Sequence, residues 1–250
     1  RIPGKVNVLL GDKPIINYTI DVALESKYID ETTIFTNDET TKEIVKDFYY
    51  GELSKKNPHL CILHKPDEIS QDKSTLNEAA EKFVELKQMK ESDILIVLFA
   101  LNPFRSFVDD AIKIFLETGT KSLQSVKRAN DKPFGSLEKI YIQSSNRFIY
   151  RPVVPEWITI YRTQDNPNLY YCSGGIFIHY VYELPNLSKL YFNIETWGYE
   201  IDDDLEILDI DDMIQLQFAN AMLDEWSYRK EKCGDNKPYF KHKELWERQL

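Results

Sequence analysis

The sequence predicts a three-layer α/β domain with a mostly parallel sheet, and three observations carry that expectation. Short β-branched or apolar runs (Thr32–Asn37, Leu60–His64, Ile94–Phe99 and Ser122–Val126) alternate with helical patterns through the first half, the order that builds a helix-covered parallel sheet. The run Ile94–Phe99 is apolar on both faces, as a central parallel strand must be. The 250 residues, 42% hydrophobic and 29% charged, suffice to bury a core without disulfides or a structural metal.

The elements follow in order. Lys13-Pro14 opens a helix with Ile15, Tyr18, Thr19 and Val22 at helical spacing, since proline suits a first turn. After the strand at Thr32–Asn37, Thr40–Tyr50 carries Ile44, Val45 and Phe48 on one face and stops at Gly51, a residue fit for a helix end. Leu60–His64 is the next strand. Asp72 or Ser74 then caps a helix with the stripe Leu76, Ala79, Ala80, Phe83 and Leu86. The strand Ile94–Phe99 runs into a loop through Arg105, and Val108, Ala111, Ile112 and Phe115 mark the inward face of the helix after it. From about Lys127 to Trp197, alternating runs such as Lys139–Ile142 and Arg147–Tyr150 predict antiparallel hairpins, an excursion from the main sheet. Leu205–Ile210 returns as the last strand, and Met213–Trp226 as a helix burying Ile214, Phe218, Ala221 and Met222. One domain over residues 1–226, with the excursion at about 127–197, and a loosely attached polar tail at 227–250 complete the reading.

Lys+Arg 31 against Asp+Glu 41 leaves a net charge of −10, which argues against nucleic acid as a partner because its phosphates need neutralising. The longest apolar run, the eight residues Ile94–Leu101, falls short of the ~20 that span a bilayer, and no secretory leader is recognisable. Three widely spaced cysteines imply no disulfide framework, so a cytoplasmic setting is expected. The chain opens on Arg1 and not on Met, so a preceding stretch is expected.

In a parallel α/β sheet ligands bind beyond the C-terminal strand ends, so polar residues there are the candidates. Asp209 and Asp211 stand at i and i+2 in Leu208-Asp-Ile-Asp-Asp212, a spacing that can turn two hard oxygen ligands toward one Mg²⁺. The plainer alternative is that Asp211 or Asp212 caps the following helix. Lys65-Pro-Asp-Glu-Ile-Ser-Gln-Asp72 reads equally as a solvated turn. Arg162-Thr-Gln-Asp165, ahead of Ser173-Gly-Gly175, is a polar clamp or a hairpin with a surface ion pair. Cys61 and His64 alone are too few for zinc, and no Gly-x-Ser-x-Gly elbow or Walker-type loop occurs.

Taken in order, these segments resemble the CMP-sialic acid synthetases, the acylneuraminate cytidylyltransferases with their pseudaminic and legionaminic relatives. The resemblance runs from Arg1-Ile-Pro-Gly-Lys5 through Leu10–Ile20, Phe35-Thr-Asn-Asp-Glu39, Lys65–Asp72 and Arg162–Asp165 with Ser173-Gly174, to Asp209-Ile-Asp211. It implies a Rossmann-like nucleotidyltransferase fold and a cytidylyl transfer from CTP to a nine-carbon keto-sugar acid, releasing pyrophosphate, by a homodimer built through the middle excursion. It also implies Mg²⁺ on Asp209 and Asp211; Lys5 at the triphosphate beside these catalytic aspartates; Arg1, Lys65, Asp72 and Asn102 at the nucleotide; and Arg162, Gln164 and Phe177 at the sugar. The family's first strand and Gly-Ser-Lys loop would lie upstream of Arg1, and its asparagine after the opening lysine is here Val6, with Asn7 one place on. The loop Leu98-Phe-Ala-Leu-Asn-Pro103 departs from the family's Leu-Gln-Pro-Thr-Ser-Pro and, with Arg162–Asp165 and Ser173, leans toward the pseudaminic branch. Two other readings stay open: a GT-A-type glycosyltransferase using Asp209-Ile-Asp211 for a nucleotide-sugar metal, and a degenerate domain that assembles without catalysing.

Overall fold

Residues 2, 4–50, 59–71, 73–129, 137–143, 147–153 and 169–233 are described by the structure, a computed structural model. A 3-10 turn at Lys5–Asn7 leads into a small hairpin, β1 (Leu9–Leu10) and β2 (Lys13–Pro14), then α1 (Ile15–Glu25). Next come β3 (Thr32–Thr36), α2 (Glu39–Tyr50), β4 (Leu60–His64), α3 (Leu76–Lys87), β5 (Ile94–Val97), α4 (Val108–Thr118) and β6 (Ser122–Arg128). The excursion supplies β7 (Leu137–Ile142) and β8 (Arg147–Pro152), and β9 (Tyr170–Tyr180), β10 (Trp197–Glu200) and α5 (Met213–Cys233) follow.

The α/β layering matches the expectation, with parallel pairing in β3–β4 and in β6–β10. The larger sheet has the order β10-β6-β9-β5, and in it β9 runs antiparallel to both neighbours. The sheet is therefore mixed: β10 runs parallel to β6, and β9 runs against both β5 and β6. β5 is an end strand here and not a central parallel one: among the described residues it pairs only with β9.

Alternation along β9 builds the layers. Ile176 and Ile178 join Val108, Ala111, Ile112 and Phe115 of α4 in one core, while Phe177 turns to the opposite face with Ala80 of α3, Leu95, Leu184 and Tyr191. Ile16 and Ile20 of α1 pack with Val45 of α2 and Leu60 of β4. Thr75, not Asp72 or Ser74, caps α3: its hydroxyl accepts from the Glu78 amide, and the Glu78 carboxylate accepts from the Thr75 amide, a reciprocal box that neither other candidate can close with Glu78. On α2, Phe48 is exposed and Thr41 takes its place on the buried face.

Three expectations near the C-terminal end are corrected. Leu205–Ile210 is not a strand; among the described residues the last strand is β10, and the chain then turns through 204–207. Asp202-Asp-Asp204 precedes the turn, and consecutive aspartates disfavour extended pairing. On α5 the buried stripe is Leu216, Ala219 and Trp226, joined by Met222 and Leu223, whereas Ile214, Phe218 and Ala221 face outward. Both stripes recur at helical spacing, and the side that meets Leu10, Phe104 and Ile210 is the one buried. The helix also runs past Ser227, where a loose tail was expected, and Arg229 pairs with Asp203 and Glu225.

Candidate active site

Leu208 to Asp212 divides its residues by what each faces. Ile210 is fully buried against Leu10, Phe104 and Trp226, whereas its neighbours Asp209 and Asp211 are exposed. Asp212 is the helix cap: its Oδ1 accepts from the amides of Ile214 and Gln215, each at 2.9 Å. The capping alternative thus falls to Asp212, which leaves Asp209 and Asp211 as the exposed carboxylates of the pair.

Lys5 reaches this pair from the N-terminal turn and donates to Asp211 Oδ1. Burial first, and the nearby Asp211 carboxylate second, push the Asp209 carboxyl above its ordinary value, while Lys5 and Arg105 pull it back. A carboxyl group whose proton affinity is raised by a neighbouring carboxylate suits a divalent cation, which would relieve the repulsion. Among the described residues no third His, Cys, Asp or Glu joins the pair.

The loop after β5 holds this segment from below. The Ile210 amide donates to Leu101 O at 3.1 Å, and Asn102 Nδ2 donates to Leu208 O at 3.2 Å. Asn102 is 1% exposed. Its expected place at the nucleotide is therefore corrected: the amide is a latch between two loops. Phe177, expected at the sugar, is 4% exposed and packs between the rings of Phe99 and Tyr191, so it is core.

A third group of polar residues lines the ends of β3 and β4. Asn7 Nδ2 donates to Asp38 Oδ2 at 3.0 Å, and Thr41 Oγ1 donates to Asn7 Oδ1 at 3.0 Å, tying the Lys5 turn to the start of α2. Lys65 follows β4, with its amide donating to Thr36 O at 3.1 Å. Its half-buried ammonium makes no ion pair among the described residues, and burial lowers its pKa. A desolvated cation of this kind is stabilised by an incoming anion. Beside it, Lys42 Nζ donates to Glu39 at 2.6 Å and lies 2.9 Å from His64 Nδ1; an ammonium can only donate, so that nitrogen is the unprotonated one.

Lys5, Asp209 and Asp211 are thus brought together and Lys65 lies at a strand end, whereas Arg1, Asp72, Arg162 and Gln164 lie outside the described residues. Two residues that shape the site, Arg105 and Thr19, were not foreseen. The signal for the first was a charge set in the apolar run Phe104-Arg-Ser-Phe-Val108.

The sequence model of a family described as Cytidylyltransferase matches residues 1–173. The chain is 26% identical over 214 residues to N-acylneuraminate cytidylyltransferase of Streptococcus agalactiae serotype III (strain NEM316), covering 84% of this chain and 47% of the relative. It is likewise 26% identical, over 220 residues, to the enzyme of the same name from Streptococcus agalactiae serotype V, with the same coverage of 84% and 47%. The chain therefore spans about half the length of these curated relatives. Among solved structures it superposes on CMP:2-keto-3-deoxy-manno-octonic acid synthetase complexed with CTP, with TM-score 0.58, 15% identity and coverage of 90% and 93% of the two chains. It also superposes on 4-diphosphocytidyl-2C-methyl-D-erythritol synthase, with TM-score 0.55, 11% identity and coverage of 88% and 95%. At such identities these likenesses concern the fold.

Proposed function

The chain belongs to the cytidylyltransferase family, and from that premise we propose that it transfers a cytidylyl group from CTP to the anomeric hydroxyl of a nine-carbon keto-sugar acid of the sialic or pseudaminic type, with Mg²⁺. One observation carries the reading: Asp209 and Asp211 project from a strip anchored by buried Ile210, with Lys5 beside them. The name shared by the relatives, N-acylneuraminate cytidylyltransferase, supports the substrate class. The altered Phe99–Pro103 loop favours the pseudaminic branch within it.

The chemistry needs a polyanion held in place and an attacking oxygen set in line with the α-phosphorus. A bond forms between the anomeric oxygen and that phosphorus, the bond to the bridging oxygen breaks, and pyrophosphate leaves. Asp209 and Asp211 would hold Mg²⁺, which when bound would draw charge from the phosphates and ease loss of the hydroxyl proton. Lys5 would exchange Asp211 for a phosphate oxygen, and Lys65 would answer the nucleotide's charge from the end of β4. Family membership favours nucleotidyl transfer over the glycosyltransferase alternative.

We place the reaction in the cytoplasm, where CTP is available; no helix among the described residues is long and apolar enough to cross a membrane. A homodimer formed through the β7–β8 hairpin completes the proposal, supported by Tyr141, Phe148, Ile149 and Tyr150, which that hairpin leaves exposed.

The test is pyrophosphate release from CTP with sialic, pseudaminic or legionaminic acid. Activity is expected with one of the three, and Asp211→Asn should lower it about 10²–10³-fold, since a metal contact supplies several kcal/mol and each 1.36 kcal/mol is a factor of ten. A protein that binds CTP but cytidylylates none of the acids would be the degenerate assembly domain instead.

A further inference from the structure

Arg105 heads the fully buried side chains by size, at 1% exposed. Nε donates to Gly175 O at 3.0 Å, Nη1 to Thr19 Oγ1 at 2.8 Å and to Asn102 O at 2.5 Å, and Nη2 to Phe99 O at 2.6 Å. Every acceptor is neutral, and among the described residues the guanidinium forms no ion pair. A buried charge without a counter-ion is unfavourable in itself, and an apolar side chain would fill the same space without that penalty. What an apolar side chain lacks is the fork of donors, and here the fork joins three separate elements: the loop after β5, helix α1 and the start of the buried half of β9.

The loop it grips is the one that clamps the aspartates. Leu101 O and the Asn102 side chain bind Ile210 and Leu208, so Asp209 lies between two tethers whose position Arg105 sets.

We propose that Arg105 is a positioning residue for the paired carboxylates: it fixes the loop that clamps Leu208–Ile210 and thereby the geometry in which Asp209 and Asp211 meet a divalent cation. The inference rests on reading that pair as a divalent site. It assigns Arg105 no contact with CTP or sugar.

The test uses Mn²⁺ as probe, titrated into the full chain by electron paramagnetic resonance with and without CTP, for wild type, Asp209→Asn, Arg105→Lys and Asn102→Ala, each first checked for a cooperative thermal melt. Arg105→Lys keeps the charge and loses the fork. Folded Arg105→Lys is expected to bind Mn²⁺ about 10–100-fold more weakly, the usual loss when a group that orients metal ligands is removed. In turnover its kcat should fall while KM for CTP stays within about threefold, a split that follows from the absence of substrate contact. Folded Arg105→Lys with wild-type Mn²⁺ affinity overturns the inference. Should Arg105→Lys not fold, Asn102→Ala decides, since it cuts the same clamp one step on: a tenfold loss of Mn²⁺ affinity supports the relay and an unchanged affinity overturns it. The cytidylyltransferase reading fails separately. Wild type that binds Mn²⁺ more tightly than Asp209→Asn but releases no pyrophosphate refutes the reaction and leaves the clamp standing, and wild type that binds no better than Asp209→Asn refutes both.

Discussion

Two antiparallel pairings lie next to each other along this chain and differ in what covers them. In β6–β9 the central residues are sealed on both faces, Leu123, Ile176 and Ile178 against α4 and Phe177 against the α3 side. In β7–β8 the ladder is as regular, six residues paired with six from Leu137↔Pro152 to Ile142↔Arg147, yet almost every side chain is exposed. An isolated two-stranded hairpin is marginal in water. Its internal contacts, a Tyr141–Phe148 ring pair at 5.2 Å and Lys139 Nζ over the Phe148 ring at 4.1 Å, order the side chains without removing them from solvent. Pairing alone therefore does not make a core, and the second ladder is the surface through which the proposed dimer would complete one.

Truncation on each side tests the difference most strongly. Phe115 is fully buried and meets the Tyr180 ring at 5.3 Å, so Phe115→Ala should destabilise by about 3–5 kcal/mol. Phe148→Ala, at 55% exposure, should stay within about 0.5 kcal/mol in the dilute monomer. Urea unfolding measures both, and equal losses would erase the contrast.

Phe148→Asp sharpens it in the other direction. If the hairpin is an interface, the variant should weaken self-association by about 30-fold, the weight of one aromatic anchor worth about 2 kcal/mol, with the monomer's urea midpoint unchanged. Sedimentation equilibrium reads this directly, and a wild type that is monomeric at every concentration would remove the proposed dimer.

Gly175 probes how tightly the buried pairing is built. A Cβ there would come 2.9 Å from Phe107 Cζ, 3.1 Å from Ser125 Oγ and 3.2 Å from Ile201 Cδ1, beside the register shift between Gln124 and Val126. Gly175→Ala should cost about 1–2 kcal/mol, toward the low side for overpacking because the atoms it meets are side-chain ends that can turn aside. A rise in the urea midpoint would show slack at the bulge that the packing does not suggest.

The same contrast explains what was legible beforehand. Period-two and helical patterns placed most strands and helices to within a few residues, because one face of each meets a core. Helix α5 was placed but turned, since Ile214 and Phe218 repeat as regularly as Leu216 and Ala219, and only the tertiary partners choose between them. Asp209 and Asp211 could be picked out as a candidate pair because their spacing is local. Asn102 and Arg105 could not: Asn102 bonds to Leu208, 106 residues away, and the partners of Arg105 are mostly backbone carbonyls, which every residue carries. Sequence announces groups that meet ligands through side-chain chemistry more clearly than groups that hold loops through the main chain.

The smallest expected effect concerns a buried base inside the well-covered sheet. His179 on β9 is almost fully buried, stacks on Tyr191 at 5.5 Å, and has Nδ1 3.0 Å from Tyr180 O. Nδ1 must then carry the proton, and Nε2 has no hydrogen-bond partner among the described residues. Burial lowers the pKa of His179, with the Tyr180 carbonyl and the buried Glu183 carboxylate opposing it. The folded state therefore holds the neutral ring to lower pH than the unfolded chain, which takes up a proton near pH 6.5. Above that pH the contribution to stability is complete, and it is lost as pH falls from about 6.5 through the lower folded value, at no more than about 1.4 kcal/mol per pH unit. Urea unfolding of wild type and His179→Phe between pH 7.5 and 5.5 should show a shallower acid limb in the variant, with a difference of about 1 kcal/mol at the acid end. Parallel limbs would mean that Glu183 offsets the burial of the ring.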